Sequence, residues 1–177
     1  LAEAMNRSGR PNMEDRALER FMQGYNDRSR SLYLLPWATA SSYLGVGLDE
    51  LALSALRDGV QKAAFVRGED RRKMASSYID LANRLYLQQQ ILPAEQVYQF
   101  ANRIKPEATA HNALALIAYN RGHFSSAASH WEESLGLEQT QVSVHRYLAE
   151  IMDKQLDDHK KARYHLQRAM ELNSHNL

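Results

Sequence analysis

The sequence predicts an all-α fold, a superhelical array of antiparallel helix pairs. Three observations lead there. Small residues recur at a near-constant period, with Ala94, Ala127 and Ala162 separated by 33 and 35 positions. Apolar residues follow each of them at the i+4, i+7 and i+10 spacing of one helix face. Only four prolines and eight glycines interrupt 177 residues, and no convincing strand lies between them.

The second helix of each predicted pair carries this pattern. Ala94 is followed by Tyr98, Ala101 and Ile104; Ala127 by Trp131, Ser134 and Leu137; Ala162 by Leu166, Ala169 and Leu172. A first helix precedes each, marked by Leu81-Ala82, Leu114-Ala115 and Leu148-Ala149 and continued on the same face by Leu85, Ala118 and Met152. Turns are expected at 88–92, 121–124 and 155–160, the last longer by one residue. Gly122 suits the left-handed conformation that ends a helix, and Pro106 blocks continuation beyond Ile104.

Three successive helix pairs of roughly 34 residues resemble tetratricopeptide repeats. The resemblance rests on Leu114, Ala115, Gly122, Phe124, Ala127, Trp131 and Leu135, with Pro106 where the family often places a proline, and it covers about 75–175. Gln139 and Ser174 replace that proline in the next two units. A weaker copy, Ala40, Tyr43, Gly47, Ala52 and Leu56, occupies about 33–66; Pro36 is expected to start its first helix and Asp49 to cap its second. The predicted division is a polar segment 1–32 with an amphipathic helix near 12–24, a degenerate helix pair with linker at 33–74, and three repeats at 75–177. The run from Arg67 to Lys73 reads as a solvated turn and the first exposed turn of a helix.

The resemblance implies a binding function. Stacked pairs bury a continuous core and leave a concave groove lined by their first helices, and in this family the groove commonly holds a peptide or a partner helix. The positions expected to face it include Ser76, Ile79, Asn83 and Tyr86; Thr109, Asn112, Leu116, Tyr119 and Asn120; and Ser143, Arg146, Glu150 and Asp153. Asparagine amides suit a peptide backbone because they both donate and accept. Tyrosines supply flat apolar area with a polar tip, and Arg146 can grip a carboxylate through two bonds. The partner-binding set is therefore Asn83, Tyr86, Asn112, Tyr119, Asn120, Arg146, Glu150 and Asp153. Asn83, Asn112 and Arg146 loosely resemble the family's clamp for a C-terminal carboxylate, but Ile79 stands where its first lysine would be. Trp131 reads as core, and so does Trp37.

Signals for chemistry are weak. The absence of cysteine excludes disulfides, thiolate metal sites and a cysteine nucleophile. The seven histidines show no pair at the i, i+4 spacing of a helical zinc motif. His111 and His145 fall at equivalent places in successive repeats, which allows them to be neighbours, with Glu150 the nearest carboxylate in sequence, but the histidines read as packing or surface residues. No metal site, cofactor or catalytic residue is expected, and the chain does not read as an enzyme. Glu132-Glu133 and Asp157-Asp158 are adjacent, so on a helix they do not face one another. A formal net charge of +1 and arginines interleaved with acids give no stripe for nucleic acid. No apolar run approaches the roughly 20 residues that span a bilayer.

The last helix is expected to turn Leu166, Ala169 and Leu172 to its own core and to leave Tyr164 and Met170 on an uncovered side, where a partner or another copy docks. The chain begins with Leu1, as expected of a processed protein or of the soluble part of a larger one, cytoplasmic or periplasmic. The expected function is a protein–protein interaction scaffold in a larger assembly, with the bacterial envelope as one setting. The alternatives are a peptide-sensing regulatory module and a non-catalytic helical appendage of an enzyme.

Overall fold

The computed structural model describes residues 28–66 and 68–174. The expected helix at 12–24 and the side chain of Trp37 lie outside the described residues. Among the described residues eight α-helices follow in order: α1 (Arg28–Gly45), α2 (Asp49–Lys62), α3 (Gly68–Leu87), α4 (Ile91–Ile104), α5 (Ala108–Asn120), α6 (Phe124–Leu137), α7 (Val142–Lys154) and α8 (His159–Ser174). A short 3₁₀ turn, Ala63–Phe65, follows α2. Among the described residues there is no strand. The helices pack as pairs, α1 with α2, α3 with α4, α5 with α6 and α7 with α8, and the pairs stack in chain order. The molecule is a tetratricopeptide-like α-solenoid.

The pairs close through one repeated device. Gly47, Gln89, Gly122 and Asp157 sit in the four turns with φ of 74°, 64°, 76° and 54°. In the first three turns the next amide reaches back five residues, Leu48 to Tyr43, Gln90 to Leu85 and His123 to Ala118, each at 2.9 Å. These bonds satisfy carbonyls that the helix end leaves open. The longer fourth turn shifts the pattern: Leu156 reaches Ile151 at 3.0 Å and Asp158 reaches Met152 at 2.7 Å. Asp158 then caps α8, its carboxylate accepting from the Lys161 amide at 3.0 Å.

Small residues set the close approach. Ala52, Ala94 and Ala127 are fully buried, and Ala162 nearly so, at the equivalent place on α2, α4, α6 and α8. The buried apolar residues form two clusters. The first runs from α1 to α5 and includes Leu56, Met74, Tyr78, Val97, Tyr98, Ile104, Leu114 and Ile117. The second runs from α5 to α8 around Trp131, Leu148 and Ile151, with Ala115 at its edge. Helix α5 is shared between them.

Some sequence expectations need correction. Pro36 lies inside α1, because the helix already begins at Arg28. Its ring packs at Gly59 of α2. Asp49 is the first residue of α2 rather than its cap; Leu48 takes the cap position, and no side chain bonds there. The Asp49 and Glu50 charges instead suit the positive end of the helix dipole. Ile79 is buried in the core and does not face a groove. Leu166 is 51% exposed, while its counterparts Tyr98 and Trp131 are buried, because α5 and α7 follow the latter two and no described helix follows α8. Tyr164 and Met170 are exposed, as expected.

Candidate partner-binding groove

Three of the predicted binding residues come together. Arg146, Glu150 and Asp153 recur at helical spacing on the exposed face of α7, and with Ser143 they line a cavity of about 690 Å³ between α7 and α8. Ala149 and Ala162 form part of its apolar lining, together with the exposed Leu166. Tyr147 contributes its ring, which stacks on Trp131 with centroids 5.0 Å apart and planes 4° from parallel. The remaining lining is polar: the cations Lys154 and Arg163 and the His159 ring.

The charges are partly spoken for. Glu150 accepts from Lys154 at 2.9 Å, one turn along the helix. Asp153 lies 2.9 Å from His159 Nδ1, and Asp157 lies 3.0 Å from the other ring nitrogen. Such exposed pairs hold weakly, so a ligand displaces them at small cost. Arg146 has no hydrogen-bond or ion-pair partner among the described residues. Among the described residues Arg163 donates only to the His159 carbonyl, at 3.4 Å. The cavity therefore offers an apolar floor with two available guanidinium groups at its edge.

The other five predicted residues are placed differently. Asn83 is exposed, but its carbonyl already accepts from the Tyr98 hydroxyl at 2.6 Å. Burial, with a smaller contribution from Tyr86, pushes the Tyr98 hydroxyl up to about 12, which keeps that donor protonated. Asn112 donates to Gln141 at 2.6 Å. Gln141 in turn donates to the Ser134 hydroxyl at 2.9 Å, and Ser134 donates to the Ala108 carbonyl at 3.2 Å. This chain of bonds joins α5 and α6 to the start of α7. Tyr119 is half-buried and meets Phe124 edge-on at 5.6 Å. Tyr86 is half-buried against the first apolar cluster, and Asn120 is exposed at the end of α5.

The histidines also differ from expectation. His111 and His145 are not partnered with each other. Each meets a histidine of the second helix in its own pair: His111 lies beside His130, ring centroids 5.8 Å apart, and His145 beside His165, Nδ1 to Nδ1 at 2.9 Å. Sequence reading compared the wrong positions, since helix pairing brings together residues about 20 apart before it brings together neighbouring repeats. One ring nitrogen each of His111 and His130 and a Glu133 oxygen lie within 4.8 Å of one another. No described helix is long and apolar enough to cross a membrane.

No protein-family model and no curated protein sequence matches the chain. Solved structures do. A crystal structure of MamA superposes with a TM-score of 0.57 at 16% identity, over 91% of this chain and 87% of that one. A double mutant of MamA RS-1 gives 0.54 at 18% identity, over 98% and 91%. At that identity few side chains are shared, so the likeness is one of backbone: this chain has the helical-repeat fold seen in MamA.

Proposed function

We propose that this protein is an interaction scaffold that holds a segment of another protein, a peptide or a helix, in the cavity between α7 and α8 and along the exposed face of the first helices. The observation that carries the reading is the convergence of Arg146, Glu150 and Asp153 on an apolar recess where no described helix covers the Leu166 side chain as Tyr98 and Trp131 are covered. A helix with one apolar face covers Leu166, and a carboxylate beside that face meets Arg146 and Arg163. A larger assembly, of the kind bacterial envelopes contain, is the setting the reading favours. A second copy of the chain is a further candidate for the same end, where Tyr164 and Met170 are also exposed.

A photo-crosslinking residue at Arg146 should capture the partner, and one at the exposed Gln96 of α4 should not. Loss of one charge-assisted bond costs about 1.5–3 kcal/mol. Arg146→Ala should therefore weaken binding roughly ten- to hundredfold while leaving the helical circular dichroism unchanged. Equal crosslinking at the two positions would defeat the reading. A mass that rises with concentration, and stops rising with Leu166→Glu, would identify the occupant as another copy.

A further inference from the structure

The same three positions in successive helix pairs are filled in three ways. In the α3–α4 pair they are Tyr78, Val97 and Phe100; in α5–α6 they are His111, His130 and Glu133; in α7–α8 they are His145, His165 and Arg168. The first niche is apolar and buried. The third is closed by the direct bond between His145 and His165 at 2.9 Å, and Arg168 beside it is paired with Glu171 at 2.5 Å. Only the middle niche combines two imidazoles with a carboxylate.

In that niche Glu133 draws the two rings toward one point. Glu133 Oε2 lies 2.8 Å from His111 Nδ1 and 3.3 Å from His130 Nδ1. One carboxylate oxygen thus sits within reach of a nitrogen of each ring, and the ligand atoms of the three residues lie within 4.8 Å of one another, an arrangement that suits a shared cation. Two imidazole nitrogens and one carboxylate oxygen are ligands of the borderline type that zinc and its neighbours prefer. With metal–ligand bonds of about 2.0–2.2 Å, the edges of a tetrahedral site are about 3.4 Å long; the Glu133–His130 spacing of 3.3 Å matches, and the Glu133–His111 spacing of 2.8 Å has to widen to admit the ion. The His111 side chain is only 12% exposed, whereas those of His130 and Glu133 are 32% and 53% exposed, so an ion has a route in from solvent and keeps an open coordination position.

We infer that His111, His130 and Glu133 form a binding site for a divalent transition-metal ion, zinc or a close neighbour, which ties α5 to α6 through three protein ligands. Its affinity falls in acid, since the imidazoles must be unprotonated to bind.

The test uses the tag-free chain, with cobalt(II) as a spectroscopic probe and zinc(II) as competitor. The expected result is one cobalt per chain with the visible d–d bands of a four-coordinate site, displaced by one equivalent of zinc. His130→Gln and Glu133→Gln lie toward the surface and leave the fold intact; each should weaken binding by at least about tenfold, the loss usual for perturbed metal shells. His165→Gln, in the equivalent niche of the next pair, should leave both the stoichiometry and the spectrum unchanged. The inference is overturned if the folded chain takes up no cobalt or zinc at micromolar concentration, or if binding survives both His130→Gln and Glu133→Gln unaltered.

Discussion

At Gly59 the absence of one carbon atom holds three helices together. A Cβ there would lie 2.2 Å from the Tyr78 hydroxyl and 3.0 Å from Pro36 Cβ. That hydroxyl donates to the Leu56 carbonyl at 3.0 Å, and burial drives its acidity well below that of a free tyrosine, so the proton stays in place. Gly59→Ala gains about 1 kcal/mol of helix propensity, but it overpacks the site at about 1–3 kcal/mol and breaks a buried bond whose loss costs about 1–3 kcal/mol more. The packing side wins: urea unfolding should show a net loss of about 1–5 kcal/mol. A variant as stable as the parent would show that the helices do not approach so closely. Residues of this kind were only half legible. The alanine period was readable because close approach admits few alternatives, and Trp131 was readable as core for the same reason. The exposure of Leu166 was not, since its burial depends on a following helix and not on its own identity. Asn83 and Asn112 were read as ligands for a partner, yet their local sequence gave no sign of Tyr98 across the turn or of Gln141 at the start of the next pair.

At the scale of elements, the four turns share a backbone conformation but not a residue type. Gly122 adopts it freely, while Gln89, at φ 64°, pays for its Cβ. Gln89→Gly should therefore stabilise the α3–α4 turn by up to about 1 kcal/mol, less the extra chain entropy glycine loses on folding. Gly122→Ala should destabilise the α5–α6 turn by about 1 kcal/mol. No heavy atom lies within 4 Å of a Cβ added at Gly122, so strain alone is measured there. Thermal melts moving in the same direction for both variants would contradict this account. Gly122 revealed its turn in the sequence; Gln89 and Asp157 concealed theirs, because only the alignment of neighbouring repeats marks those places. Pro36 misled for a related reason: a proline is expected at a helix start, but α1 already extends upstream of it.

For the molecule as a whole, the buried histidines link stability to pH. His111, His145 and His165 are all held below the usual histidine value, burial being the first cause in each. The charge of Glu133 opposes the shift at His111, while His130 adds to it. At His145 the backbone bond of Gln139 opposes it and Arg168 adds to it. At His165 the neighbouring His145 and Lys161 add to it and Glu132 opposes it. An unfolded histidine titrates near 6.5. Below that pH the unfolded chain binds more protons than the folded one, so stability is full above about 6.5 and falls as the solution is acidified toward the folded values. The His145–His165 bond sharpens the effect, since two neutral rings offer one donor and one acceptor, whereas two charged rings offer only donors. His165→Gln should make the acid limb of a plot of melting temperature against pH shallower, and an unchanged limb would show that other groups govern it. The fold was legible at this scale because a repeated pattern samples the same packing several times. The triad of His111, His130 and Glu133 was not, because its members are brought together by pairing across a turn and not by any short motif.

The division of the core has a consequence of its own. Among the described residues, helix α5 serves two separate apolar clusters and so forms the hydrophobic seam between the front and the back of the array. Damage to Leu56 or Met74 is felt on one side of that seam, and damage to Leu148 or Ile151 on the other. A chain organised this way tolerates change piecemeal: units can be lengthened, exchanged or lost beyond α5 while the remainder keeps its own interior, and natural variation has room to rewrite one end without renegotiating the other.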